Sequence, residues 1–164
     1  MNKGQQLVII ISFFISAFGY SQMTKEEENA YRVQRSDAFY DALSRCGSGD
    51  DYVTDFNGKQ EFWQVCEPST NERILTIFSH KDDFYFKEIY YVKDEELVFA
   101  KEIENYQPLN SKPLQAWNCE YFIEDGAIVT LISLGHGKTE SEDWDEDEIL
   151  QMYARRIQEL AKIK

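Results

Sequence analysis

The sequence repeats one kind of unit, KEIYYVKDEELVF at residues 87–99 and WNCEYFIEDGAIV at residues 117–129. Each unit is a run of aromatic and β-branched residues interrupted by an acidic turn. Aligning the two units places Tyr91 on Tyr121 and Glu95 on Asp125. Such a pattern is typical of a β-hairpin, so the two units predict four strands of an antiparallel sheet.

The strand signals extend beyond these two units. Residues 52–60 give a mixed signal around the turn dipeptide Asn57-Gly58, and residues 62–66 read as the better strand after it. Residues 68–71, PSTN, are expected to form a loop. The five well-defined strands are predicted at residues 73–80, 84–93, 96–104, 116–124 and 127–134. Short connections between consecutive strands favour an antiparallel meander over β-α-β units.

Two helices are predicted to flank the sheet. Thr24 and Glu27 have the spacing of a capping box, and the apolar periodicity that follows continues to about Cys46, with Gly47 as the terminating residue. A second amphipathic helix is indicated by apolar residues at helical spacing: Ile149, Tyr153, Ile157 and Leu160. The predicted fold is α+β, an antiparallel meander of five to seven strands flanked by an N-terminal and a C-terminal helix. We expect both helices to cover the same face of the sheet.

The N-terminus has the features of a signal peptide. Lys3 is followed by an apolar run at residues 7–18, and small residues stand at Gly19 and Ser21. The run is shorter than the about 20 residues that span a membrane. We therefore predict a signal peptide at residues 1–21 and a single domain at residues 22–164. The mature protein is predicted to be periplasmic or extracellular and to have no membrane segment.

The charge balance restricts the partners. The chain has 17 basic and 30 acidic residues, a net charge of −13. An acidic surface repels nucleic acids and anionic membranes and attracts cationic proteins over long range. The predicted partner class is therefore a cationic protein.

Three cysteines follow the predicted signal peptide: Cys46, Cys66 and Cys119. An oxidising compartment permits a disulfide, but an odd number leaves one thiol unpaired, and all three pairings are open. The Cys46–Cys66 pair closes a short loop and is the candidate disulfide. Cys119 lies in a strand pattern, which favours a small buried side chain.

Aromatic side chains crowd the central strands. The candidate binding residues are Tyr85, Tyr90, Tyr91, Trp117, Tyr121 and Phe122. They suit a contact surface, because aromatic side chains dominate interface energetics, and they equally suit a core between sheet and helices. Both faces of residues 84–92 are apolar or aromatic, so either both are covered or one of them binds something.

Two partial motifs favour structural roles. Residues 135–139, GHGKT, match the second half of a phosphate-binding loop, but Ile132 stands where the first glycine is needed. The alternate aspartates of residues 143–147 have the spacing of an EF-hand loop, but Glu148 stands where glycine is required. We predict no metal site and no cofactor from these segments.

No pattern of catalytic residues is evident. The only histidines, His80 and His136, each lie beside a predicted turn, and no metal-binding cysteine or histidine spacing occurs. The sequence favours a non-enzymatic binding protein, inhibitor- or immunity-like, that contacts a protein partner through an aromatic-rich sheet face. Its layout resembles that of small exported helix-and-sheet proteins that bind or inhibit other proteins. The alternatives are a small periplasmic hydrolase using His80 or His136, and a carrier of a small apolar ligand.

Overall fold

The computed structural model describes residues 23–47, 49–56, 59–109 and 111–163. The predicted signal peptide and the Asn57-Gly58 turn lie outside these residues. Nine helices and strands follow each other along the described chain: α1 (Lys25–Ser44), β1 (Asp50–Phe56), β2 (Lys59–Ser69), β3 (Glu72–Lys81), β4 (Phe84–Lys93), β5 (Glu96–Tyr106), β6 (Gln115–Glu124), β7 (Ala127–Gly135) and α2 (Glu148–Ile163). A short 3-10 helix, Lys138–Glu140, lies between β7 and α2.

The seven strands form one antiparallel sheet, and the order of the strands across it is their order in the chain. This confirms the predicted α+β meander. The predicted loop at residues 68–71 is wrong for its first half, because β2 continues to Ser69. Pro68 is accommodated there because the register between β2 and β3 shifts between Cys66 and Ser69, so its missing N–H falls at an irregularity.

Tight two-residue turns join β4 to β5 and β6 to β7. Asp94 and Glu95 have φ of 52° and 69°, and Asp125 and Gly126 have φ of 51° and 74°. Positive φ at both central residues defines the type I′ turn, whose twist matches that of the flanking strands. In the alignment of the two units, Asp94 and Glu95 correspond to Glu124 and Asp125. The second turn is instead formed by Asp125 and Gly126, one residue later.

Helix α1 begins at the predicted capping box. The Thr24 hydroxyl accepts from the backbone N–H of Glu27, and the Glu27 carboxylate accepts from the backbone N–H of Thr24. The helix ends at Ser44, before the predicted Cys46, and Arg45 is its C-cap in place of a left-handed Gly47. Cys46 lies two residues beyond the end of the helix and is bonded to Cys66.

The disulfide joins Cys46, just after α1, to Cys66 on β2, with 5.8 Å between the two Cα atoms. The predicted pairing is thus confirmed, and Cys119 is a buried free thiol, as its strand position indicated. Arg45 adds an ion pair to Glu72 on β3 at 2.9 Å. The C-terminal end of α1 is therefore attached to the sheet covalently and by charge.

Helix α1 crosses one face of the sheet from β7 to β2. Near its start the Tyr31 hydroxyl donates to the carbonyl of Ile123 at 3.3 Å. Further along, the Phe39 ring stacks on Phe99 with centroids 4.6 Å apart and also contacts Tyr91. Burying one such side chain contributes about 1.5–3 kcal/mol, so packing holds the helix in place. The hydrophobic cluster on this face is Phe39, Ala42, Ile74, Ile89, Tyr91, Val98, Phe99 and Phe122.

Helix α2 packs on the opposite face, which corrects the prediction that both helices share one face. Ile149 and Leu160 of this helix belong to a second, larger cluster with Trp63, Tyr90 and Tyr121 of the sheet. Adjacent residues of a strand point to opposite faces, so Tyr90 and Tyr91 serve the two clusters separately. The apolar character of both strand faces is therefore explained by one helix on each.

Candidate functional site

At the end of the sheet that includes the turn at residues 82–83, Glu61, Ser79 and Trp117 are buried, whereas many other side chains are exposed. We call this end of the sheet the open end: residues 53–55 of β1, 60–62 of β2, 78–81 of β3, 84–87 of β4, 103–106 of β5, 115–118 of β6 and 133–135 of β7, with the adjoining turn at residues 82–83 and the loop residues 107–109 and 111–114. A hydrogen bond of 2.8 Å from the backbone N–H of Gln107 to the carbonyl of Asp83 holds the loop against the turn.

The face of the open end on the α1 side carries a row of aromatic side chains. Phe62 pairs with Phe78 across β2 and β3, and their ring centroids are 5.9 Å apart. His80 pairs with Tyr85 across β3 and β4, and their rings stack at 6.1 Å. With Val53 of β1 these side chains line a shallow groove of about 260 Å³. We call these five residues the aromatic patch.

The opposite face of the open end has aromatic side chains as well. Phe84 lies 5.0 Å from the Tyr106 ring and 6.3 Å from the Phe86 ring, measured between centroids. The open end thus carries aromatic side chains on both faces.

Exposed apolar side chains concentrate at the open end. Twelve large hydrophobic residues are exposed among the described residues, and seven of them lie at this end: Val53, Phe62, Phe84, Tyr85, Leu109, Leu114 and Leu134. Leu109 is 86% exposed and Tyr85 is 48% exposed. A concentration of exposed apolar surface on a folded domain marks an interaction site.

Charged groups surround the aromatic patch. Asp51 and Asp55 are exposed and share a face with Val53, since they alternate with it along β1. A cation already lies on one ring, with Lys87 Nζ 4.9 Å from the centroid of Phe78. Burial, with Lys101 nearby, lowers the pKa of the Lys87 ammonium. The patch therefore combines ring faces that accept cations with carboxylates at its border.

The structure places the six sequence-derived binding residues mainly in the interior. Only Tyr85 is exposed, and it belongs to the aromatic patch. The other five are each at most 1% exposed and fill the two clusters: Tyr90, Tyr91, Trp117, Tyr121 and Phe122. The candidate surface is therefore the aromatic patch, which shares only Tyr85 with the predicted set. Phe62 and Phe78 were missed because a phenylalanine in a strand gives the same pattern whether or not a helix covers it.

The two histidines do not come together. His80 is on β3 and His136 follows β7, four strands away, or roughly 19 Å at the usual strand spacing. His80 stacks on Tyr85, and the Nδ1 atom of His136 lies 2.6 Å from a carboxylate oxygen of Glu140. Each histidine thus has a local partner at an exposed position.

Neither Cys66 nor Cys119 has the thiolate that a cysteine nucleophile needs. Cys66 is in the disulfide. Cys119 is buried, and burial raises the pKa of its thiol to about 11. A nucleophilic cysteine requires a lowered pKa and access to solvent, so the geometry gives no support to a Cys–His pair.

A buried ion network under α2 was not foreseen from the sequence. The guanidinium of Arg156 donates to both oxygens of Glu61 on β2 and to both oxygens of Glu88 on β4, over 2.7–3.0 Å, and also to Glu159 at 2.8 Å. Burial lowers the pKa of Arg156, but the hydrogen bonds and charge of the carboxylates outweigh it and raise that pKa overall. The partners lie 95 and 68 residues apart in the chain, which hides them from local patterns.

A second buried carboxylate stands beside this network. Glu102 on β5 lies directly across from Glu88 on β4. Lys138 Nζ is 2.6 Å from one Glu102 oxygen, and the Tyr121 hydroxyl donates to the other at 2.8 Å. Like charges opposite each other destabilise a sheet, so Arg156 and Lys138 are needed to compensate the pair.

The GHGKT segment serves the fold, in agreement with its structural interpretation. A Cβ atom on Gly137 would lie 2.5 Å from the Trp117 side chain, so only glycine fits there. The Thr139 hydroxyl accepts from the Trp117 indole N–H at 3.1 Å, and Lys138 binds Glu102. These contacts leave the segment no geometry for cradling a phosphate.

Comparisons with protein-family models, with curated proteins and with solved structures find no match to this chain. The function must be argued from its own residues. Within the described ranges, no group of three or more potential ligand side chains is arranged to hold a metal ion. No helix among the described residues is both long and apolar enough to cross a membrane.

Proposed function

We propose that this chain is an exported, non-enzymatic protein that binds a cationic protein partner through its open end, with the aromatic patch as the main contact. The observation that carries the proposal is the position of seven of the twelve exposed large hydrophobic side chains at this one end. The disulfide and the absence of a membrane-spanning helix among the described residues are compatible with export.

Charge supports the choice of a cationic partner. The chain has a net charge of −13, which accelerates the approach of a basic protein and slows that of an acidic one. Asp51 and Asp55 place part of this charge beside Val53. Within the chain the Phe78 ring already accepts the ammonium of Lys87, and the exposed rings of Phe62 and Tyr85 can accept arginine and lysine side chains of a partner in the same way.

The rival functions have less support. The carrier hypothesis required a sheet curled around a ligand, but β1 and β7 lie at opposite ends of the strand order and a helix packs on each face. The hydrolase hypothesis needs His80 or His136 in a concave site beside a carboxylate or a cysteine. His80 lies in the shallow groove stacked on Tyr85, and His136 pairs with Glu140 at an exposed position.

The test compares two double variants of the mature protein, used as immobilised baits against extracts of the producing cells and their medium. Phe62→Ser/Tyr85→Ser removes two exposed rings of the patch. Val33→Ser/Tyr40→Ser removes exposed apolar groups of α1, away from the open end, and serves as the matched control. We expect the wild type and the control to retain the same basic protein, the patch variant to lose it, and retention to fall at high salt. Equal retention by both double variants, or retention that salt does not change, would contradict the proposal.

A further inference from the structure

A groove of about 410 Å³ runs along α2 on the face opposite the aromatic patch. Its wall is one side of α2, and its floor is the uncovered part of β3, β4 and β5. Pockets of this size take small organic ligands. What distinguishes the groove is the order of its charges.

The wall changes from acidic to basic along the helix. Glu148, Met152 and Arg155 line the groove in that order. Residues seven apart in a helix lie on nearly the same side, and two turns separate them by about 10 Å. The wall thus presents a carboxylate, an apolar side chain and a guanidinium in sequence.

The charges of the floor follow the same order across the strands, from acidic on β5 to basic on β3. Glu104 on β5 pairs with Phe86 on β4, and Lys81 extends from the end of β3. All three line the groove. Two strand spacings place the acidic strand about 10 Å from the basic strand. Lys81 lies opposite Phe84, two residues beyond the row of Phe86 and Glu104, so about 12 Å separates it from Glu104, close to the about 10 Å of the wall.

The acidic residues of the wall and of the floor lie at the same end of the groove. Lys138 lines the groove together with Glu148 and binds Glu102 on β5, so the acidic end of the helix lies on the β5 side. Further along α2, Arg156 binds Glu61 on β2 and Glu88 on β4, which brings the adjacent Arg155 to the β3 side. The groove is consequently a polarised trough, negative at β5 and positive at β3.

The deep charges are already compensated, whereas those at the rim are available. Glu88 and Glu102 are held by Arg156 and Lys138. Within the described part of the chain, Lys81 and Arg155 form no ion pair, although the protein has 30 acidic residues. A rigid, neutralised floor with free charges of both signs at its rim suits a ligand that brings both complementary charges.

We infer that the groove binds a short zwitterionic peptide, with its ammonium group at Glu104 and Glu148 and its carboxylate at Lys81 and Arg155. An extended chain spans about 3.3–3.6 Å per residue, so three residues cover the about 10 Å between the two charged ends. Phe86 and Met152 contact the middle of the ligand and favour small apolar side chains there. This site is separate from the aromatic patch and does not depend on the proposed partner protein.

The probe is the tripeptide Ala-Ala-Ala, compared by calorimetry with its N-acetylated form and its C-terminal amide. We expect the free tripeptide to bind in the millimolar range and each blocked form to bind about fivefold more weakly, the effect of one partly exposed ion pair. Equal binding of the three forms, or no binding of the free tripeptide in that range, would overturn the inference.

Two double variants test which end of the peptide binds at which charged end of the groove. Lys81→Gln/Arg155→Gln is expected to abolish the difference between the tripeptide and its amide and to keep the difference from the acetylated form. Glu104→Gln/Glu148→Gln is expected to do the reverse. Lys162→Gln and Glu142→Gln, exposed residues outside the groove, are the matched controls and should keep both differences. If either groove variant weakens all three ligands equally, the proposed orientation is wrong.

Discussion

The guanidinium of Arg156 and the carboxylate of Glu88 face each other through two parallel hydrogen bonds, Nε to Oε2 at 2.8 Å and Nη2 to Oε1 at 2.7 Å. The Tyr90 hydroxyl donates a further hydrogen bond to Glu88 at 2.8 Å. This arrangement joins α2 to the middle of the sheet through buried charged groups. Its energetic role can be measured directly.

Arg156→Met is expected to lower the free energy of unfolding by about 3–5 kcal/mol, because it leaves the buried carboxylates of Glu61 and Glu88 without their cation. Urea denaturation measures the loss, and Arg155→Met, one residue away and exposed, is the control. Adding Glu61→Gln and Glu88→Gln to the variant should restore much of the stability. A loss no larger than that of the control would show that the network contributes little.

Removing the disulfide by Cys46→Ser/Cys66→Ser is expected to cost about 3 kcal/mol, the chain-entropy value for a sequence separation of 20 residues. Thermal or urea unfolding measures it. Cys119→Ala leaves the bridge intact and is the comparison. Unreduced mature protein should contain one thiol per chain, and a count of three would contradict the pairing.

Glu72 is expected to control stability in acid. The hydrogen bond from Arg45, then those from the Tyr91 hydroxyl and Ser69, hold the pKa of its carboxyl at about 2, below the ordinary 4.5. A lowered folded-state pKa contributes stability that is complete above pH 4.5 and is lost as pH falls from there towards about 2. Glu72→Gln should be less stable at neutral pH and should lose less stability across that window. Glu67→Gln, an exposed neighbour, should keep the wild-type slope.

Substitution of Gly126 and of Gly135 by alanine distinguishes the cost of backbone strain from the cost of a steric clash. Gly126 has φ of 74° and open space around it, so Gly126→Ala should cost about 1 kcal/mol from strain alone. Gly135 has φ of 88°, and a Cβ atom there would lie 2.0 Å from the carbonyl oxygen of Ala116. Gly135→Ala should therefore destabilise the protein clearly more than Gly126→Ala in urea unfolding. Equal losses would mean that β6 and β7 adjust to the extra atom.

Much of the sheet could be predicted because its information is local. A strand such as β4, Phe84–Lys93, is bounded by turn residues that lie next to it in the chain, and its predicted limits are confirmed. The capping box of α1 and the Cys46–Cys66 pair are likewise short-range features.

The placement of the helices could not be predicted, because both faces of β4 are apolar and either face could receive either helix. The buried carboxylates were missed for a related reason. Glu88 in a strand looks like a solvent-facing residue until Arg156, 68 residues later, is known to pair with it. The candidate surface was misplaced because aromatic strand residues look alike in sequence, whether a helix covers them, as for Tyr91, or not, as for Tyr85.

The chain-order meander makes assembly of the sheet a succession of local events. Each hairpin closes over a few residues, so little loop entropy opposes it, and proteins rich in such contacts fold quickly. The contacts that span the chain, from Tyr31 to Ile123 and from Arg156 to Glu61, belong to the helices. We therefore expect the ribbon of strands to form before the two helices dock on it.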